Sequence, residues 1–269
     1  MSLPSYLRYI FTEIKAPLSF KITYAAEKFL KIPFMFVQRV FKKKVSMPYL
    51  FTNDYVLENR WGKWKIKAYS DYDYSINPMH EKGLESVFTG CRGIFLDIGA
   101  HIGKWSIVAG RTAKKAYAFE PTPEPYKYLL QNISLNGLTG KVVPVNKGVS
   151  SSRGEMTFEI SPTNSSMSKI VQASTDAPTL TIPTTSIDEF LKEENIAFSD
   201  IELVKIDVEG HEFEVLKGMK HLLQQAKRIR IICEILPEQV EKAEIIRWME
   251  SLHFKTHELP TGNDFLFEK

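Results

Sequence analysis

The spacing of apolar positions changes twice along the chain. Over residues 1–45 apolar side chains recur at three- and four-residue steps: Ala26, Phe29 and Leu30, then Phe34, Val37, Val40 and Phe41. That period predicts amphipathic helices, with interruptions expected at Pro17 and Pro33. Residues 54–69 alternate instead, Tyr55-Val-Leu-Glu-Asn and Trp64-Lys-Ile-Lys-Ala-Tyr lying on either side of Trp61-Gly-Lys, which predicts a short hairpin. Asn77 is then expected to open a helix that runs through Val87 and Phe88 and stops near Gly90.

From Gly93 short apolar runs alternate with helical patterns. Predicted strands are 94–98, 116–120, 141–146, 201–207 and 228–234, and predicted helices are 103–111, 123–136, 187–192, 212–223 and 237–252. A further strand is expected over 155–160, a polar Ser/Thr-rich loop over 161–178, and a closing antiparallel pair from 253–258 and 264–267. Strands alternating with helices imply an α/β fold with a mostly parallel sheet covered on both faces. Ligands of such sheets bind beyond the strand C-termini, where Asp97, Glu120, Asn146, Asp207 and Glu234 are expected to collect. Residues 1–75 are read as an N-terminal extension and 76–269 as the main domain.

Charge sharpens this division. Residues 1–45 hold nine Lys or Arg and two Glu, although the net charge of the whole 269-residue chain is only +3. The basic head is open to three readings: helices packed on the main domain, a membrane-surface helix attracted by anionic lipid, or nucleic-acid binding. The last is disfavoured, because the remainder of the chain is acidic and carries no nucleic-acid module. Cys91 and Cys233 lack metal-type spacing and are expected to be reduced, packed thiols of a cytoplasmic protein. No uncharged apolar run is long enough for a transmembrane helix, and no secretory signal is expected.

The turn after the first strand, Phe95-Leu-Asp-Ile-Gly-Ala-His-Ile-Gly103, has acid-x-Gly-x-x-x-Gly spacing. Gly99 allows a tight turn and close approach of a ligand. Gly103 lets the next helix pack near the sheet with its N-terminal N–H groups free. A dinucleotide fingerprint would place glycine where His101 stands, and there is no Gly-Lys-Ser/Thr phosphate loop. S-adenosylmethionine suits the turn better: it carries an ammonium and a sulfonium, which Asp97 would balance. Glu120, 23 residues further on in Ala-Phe-Glu-Pro, is placed to accept the ribose hydroxyls. His101 is counted with these cofactor-binding residues, although packing explains many such histidines.

Lys205-Ile-Asp-Val-Glu-Gly-His-Glu212 follows the fourth strand with three carboxylates in six residues, a poor core sequence but a plausible site for a hydroxyl substrate. Here the chain resembles the FkbM family of methyltransferases. The resemblance rests on the two motifs above, on Val204-Lys-Ile-Asp-Val-Glu-Gly-His-Glu212, on Ile182-Pro-Thr-Thr-Ser-Ile-Asp-Glu-Phe-Leu191 and on Ile232-Cys-Glu-Ile235.

It implies a class I methyltransferase fold, a Rossmann-like three-layer sandwich around a seven-stranded sheet, and O-methylation of a saccharide, glycolipid or secondary metabolite. By position it adds Asn146 and Gly148 near the adenine, and sets Asp207, Glu209 and Glu212 beside the reacting centre. Asp207 or Glu209 is then expected to orient the acceptor, with its proton passing to a carboxylate or to His211. Glu212, Glu234 and the loop serines Ser166 and Ser168 are candidate acceptor contacts. Asp207, Glu209 and Glu234 would form the ligand set if a divalent metal were used. Two other readings stay open: an inactive methyltransferase-fold binding module at a membrane-associated assembly, and a nicotinamide-dependent oxidoreductase, which the missing glycine fingerprint disfavours.

Overall fold

The computed structural model describes residues 3–41, 49–70, 72–78, 83–159, 169–170, 179–236 and 242–269. They divide into two compact units, Met1–His80 and Glu81–Lys269.

In the first unit a helix Leu3–Arg8 runs into a π-helical turn Tyr9–Glu13, followed by a long helix Leu18–Phe41 and an antiparallel hairpin of β1 (Tyr55–Asn59) and β2 (Gly62–Ile66). The long helix passes through Pro33, where an interruption was expected. Pro33 removes one backbone donor, but it lies on the exposed side, where water can satisfy the freed carbonyl. The hairpin is fixed by Asn59, which is buried: its Oδ1 accepts from the Trp61 N–H at 2.9 Å and Trp64 Nε1 at 3.1 Å, and its Nδ2 donates to the Ile76 carbonyl at 2.9 Å.

Asn77 does not open a helix. Its N–H closes a turn on the Tyr74 carbonyl, and the helix that follows among the described residues is the short Glu85–Thr89.

The second unit is built on β3 (Ile94–Ile98), β4 (Lys115–Phe119), β5 (Val142–Val145), β10 (Ile201–Ile206), β11 (Arg230–Glu234), β12 (Lys255–Glu258) and β13 (Asp264–Glu268). They form one sheet in the order β12-β13-β11-β10-β3-β4-β5. The five strands from β11 to β5 are parallel, and only β13 runs against its neighbours. Alternation along β3 covers both faces. Ile94, Leu96 and Ile98 pack with Phe190, Phe213, Leu216 and Leu222, whereas Phe95 meets Phe88, itself stacked on Trp105. This is the three-layer class I methyltransferase architecture expected above.

A second sheet, in the order β6-β9-β7-β8, joins β6 (Gly148–Val149), β7 (Gly154–Glu159), β8 (Lys169–Ile170) and β9 (Thr179–Thr185). β9 leads into the helix Ile187–Glu193 through a capping box: Ser186 accepts from the Glu189 N–H while Glu189 reaches back to the Ser186 N–H. The helical stretch expected over 212–223 is two helices, Glu212–Lys217 and Lys220–Gln225. They part at Gly218, where a Cβ would lie 2.0 Å from the Ser150 carbonyl oxygen. Close approach of the Ser150 turn therefore sets the break.

Candidate active site

Beyond the C-terminal ends of β3, β4 and β10 lies an open cleft of about 700 Å³, mouth included. Three turns form its floor and rim. The first, after β3, is pinned by two bonds: the N–H groups of Gly99 and Ala100 both donate to the Phe119 carbonyl, at 3.1 and 2.9 Å. Gly99 has φ +81°, and a Cβ there would lie 1.8 Å from the Asp207 carbonyl oxygen. Glycine is therefore required by conformation and by space. His101 follows with φ +51°, a left-handed setting that side chains other than glycine adopt at a cost.

The second turn presents Glu120, 5% exposed. Its Oε2 accepts from the His101 N–H at 2.9 Å, and its Oε1 accepts from the Thr122 N–H at 2.9 Å and from the Thr122 hydroxyl. Burial raises its pKa, which these three donors counter. Oε2 keeps acceptor capacity toward the cleft. Asn146 braces this turn, its Nδ2 donating to the Glu120 and Pro121 carbonyls at 2.8 and 3.1 Å.

The third turn follows β10. Lys205, 8% exposed, donates from Nζ to Asp207 Oδ2 at 2.8 Å and to the Gly99 carbonyl at 3.2 Å, tying the first turn to the third. Burial pushes the Asp207 carboxyl up, but Lys205 and a hydrogen bond from Glu234 outweigh it and hold Asp207 below its usual range. Glu234 is pushed up to about 9 by burial and by Asp207, so it donates a proton to Asp207 rather than repelling it. Glu209 lines the cleft with φ +55°, and burial with the charges of Asp207 and Glu212 pushes it up to about 7.

Asp97 lies beneath the first turn, 1% exposed. Its Oδ2 accepts from Ser106 Oγ at 2.5 Å, while its Oδ1 has no hydrogen-bond partner. A buried carboxylate oxygen left open in this way invites a donor or a positive charge.

Of the residues singled out in the sequence, Gly99, His101, Glu120, Gly148, Asp207 and Glu209 line the cleft. Other expectations find different places. Gly103 lies off the cleft, with φ +93° and its N–H bonded to the Ala100 carbonyl; its missing Cβ makes room for Leu129, 2.6 Å from where that atom would be. Asn146 holds a turn and is not among the lining residues. His211 is also off the lining, with Nε2 3.0 Å from Ser150 Oγ, and burial lowers its pKa. Glu212, expected beside the acceptor, is 2% exposed and turns back to accept the Val208 and Gly210 N–H groups at 3.2 and 3.0 Å. The turn before its helix thus occupies Oε1.

Ser166 and Ser168 lie outside the described residues. Among the described residues no group of three or more His, Cys, Asp or Glu side chains is arranged to hold a metal ion.

Sequence reasoning missed several groups. Thr122 and Lys147 line the cleft, and Met156, Phe158 and Ile182 from the second sheet give it an apolar wall. Lys205 was quoted within its motif without a role. Its one signal was a lysine within the apolar run Leu203-Val-Lys-Ile206, a position that needs a partner.

Comparison with known proteins agrees with this geometry. Residues 97–256 match the family model described as the Methyltransferase FkbM domain. The hexuronic acid methyltransferase AglP of Haloferax volcanii is 35% identical, over 55% of this chain and 60% of its own length. The methyltransferase sdnD of Sordaria araneosa is 28% identical, over 46% of this chain and 59% of its own length. The chain thus spans about three fifths of the length of these relatives. Among solved structures, an FkbM methyltransferase from Methylobacillus flagellatus superposes with a TM-score of 0.47 at 16% identity, over 66% of this chain and 44% of that one. The M. jannaschii tRNA m1G37 methyltransferase gives 0.45 at 12% identity, over 82% and 58%. With the family model covering residues 97–256, more than half of its length, the chain belongs to the FkbM methyltransferase domain family.

Proposed function

We propose that this chain transfers the methyl group of S-adenosylmethionine to a hydroxyl of a saccharide, glycolipid or secondary metabolite. The observation that carries this reading is that one cleft joins a preset ribose acceptor, Glu120, to an acidic turn, Asp207 to Glu209. The residues fit such a cofactor. Glu120 would accept the ribose hydroxyls, and Asp97, with its open Oδ1, would balance the amino-acid end. Met156, Phe158 and Ile182 would flank the adenine. When bound, the sulfonium supplies an activated methyl group.

The protein's share of the chemistry is alignment and proton removal. Glu209, poised near neutrality, is suited to take the acceptor's proton. Asp207, held ionised by Lys205, orients the hydroxyl. His101 stays neutral at pH 7, since burial lowers its pKa to about 4, and so adds no positive charge beside a sulfonium. A sugar acceptor draws support from the Haloferax volcanii relative, named as a hexuronic acid methyltransferase. The unpaired, buried Cys91 and Cys233 suit a reducing cytoplasm.

Calorimetric titration with S-adenosylhomocysteine and, separately, NAD tests the cofactor, and labelled methyl transfer to uronic-acid-containing glycans tests the acceptor. Binding of S-adenosylhomocysteine alone supports the proposal. Binding of NAD alone, or of neither, would sink it.

A further inference from the structure

The helix Leu18–Phe41 is amphipathic the wrong way round for water. Tyr24, Glu27 and Lys31, spaced three and four residues apart, are buried. Glu27 Oε2 accepts the N–H groups of Leu50 and Phe51 at 2.6 and 3.1 Å, and Lys31 Nζ sits 3.1 Å from Glu27 and over the Tyr49 ring. The opposite stripe, Leu18, Ile22, Phe29 and Ile32 at steps of four, seven and three, is 37–64% exposed, with Leu30 beside it. Phe11 adds an exposed aromatic ring, its carbonyl held by Lys21 Nζ at 2.9 Å next to Ile22. Large apolar side chains gathered on one face while charges are turned inward mark a surface that works against something other than water.

We infer that this face docks on an anionic lipid surface. Charge selects the partner. Residues 1–80 carry thirteen Lys or Arg against six Asp or Glu, and Lys21 stands beside Ile22 and Phe11 at the apolar stripe. An apolar stripe on a basic unit suits the boundary between anionic headgroups and acyl chains, where the apolar groups insert and the lysines stay at headgroup level. No helix among the described residues is long and apolar enough to cross a membrane, so the helix lies along the surface. The inference is independent of the proposed methyl transfer.

Co-sedimentation of the full chain with phosphatidylcholine vesicles, with and without phosphatidylserine, tests it, beside an Ile22→Glu/Phe29→Glu variant checked for folding by circular dichroism. The expected result is binding that requires phosphatidylserine, weakens with salt and falls at least about tenfold in the variant. A parent chain that stays in the supernatant, binds both vesicle types equally, or sediments no better than the variant overturns the inference. Light scattering that shows a parent dimer dispersed by the variant assigns the face to a second copy and overturns it as well. If the variant fails to fold, the parent's own phosphatidylserine and salt dependence still decides.

Discussion

A Cβ atom on Gly99 would lie 1.8 Å from the carbonyl oxygen of Asp207. The cofactor turn and the acidic turn are therefore in backbone contact, and neither can move without the other. Gly99→Ala should cost roughly 2–5 kcal/mol, combining left-handed strain with a forced shift of the Asp207 peptide. Urea unfolding measures the stability, and titration with S-adenosylhomocysteine should show binding lost in the same variant. An alanine variant with native stability would contradict this contact.

Glu120→Gln tests the ribose acceptor. A carboxylate suits three donors, whereas an amide turns its NH2 toward one of the N–H groups of His101 or Thr122. One lost charge-assisted bond of about 1.5–3 kcal/mol predicts a ten- to hundredfold weaker affinity for S-adenosylhomocysteine, read by calorimetry.

Lys205→Met should leave Asp207 without its cation and the Gly99 carbonyl without its donor. Removing one partner of a buried ion pair costs about 3–5 kcal/mol; because the Asp207 side chain keeps 28% of its exposure, roughly 2–3 kcal/mol is expected here. Denaturant melts give the cost. Carboxyl chemical shifts followed through a pH titration should show Asp207 gaining a proton at higher pH than in the parent.

Glu209 and Glu234 bind protons more tightly in the folded chain, with pKa values of about 7 and about 9, than in the unfolded one. Between the unfolded carboxyl range and those values the unfolded chain holds fewer protons, so stability falls as pH rises. Glu209→Gln should remove part of that slope between about pH 5 and 7 and stabilise the chain by on the order of 1 kcal/mol at pH 8, after solvent screening. Methyl transfer should rise with pH through about 7 in the parent and lose that step in the variant. A parent melting temperature that climbs from pH 5 to 8 would oppose the assignment.

The central sheet was legible because its parallel strands are short apolar runs separated by helices, and a buried parallel strand must read that way. Glu120, Gly99 and Asp207 were legible as exceptions to that rule. Glu212 and Asn146 were misplaced for a shared reason: a polar side chain at a strand end serves a ligand and a turn equally well on paper. Only the positions of the Val208, Gly210, Glu120 and Pro121 backbone atoms separate the two roles. Pro33 misled because a single lost bond on a wet helix face does not outweigh a packed inner face. Lys205 escaped notice because it bonds the turns after two different strands, at Gly99 and at Asp207.

The apolar wall of the cleft is carried by β6, β7 and β9, a sheet with no hydrogen-bonded strand in common with the one that presents the carboxylates. Shape and chemistry are thus inherited on separate supports. Changes at Met156, Phe158 or Ile182 can widen or narrow the cleft without disturbing the register that sets Lys205 between Asp97 and Ile232. Such a division lets the apolar seat of the cofactor change shape while the reacting groups stay fixed.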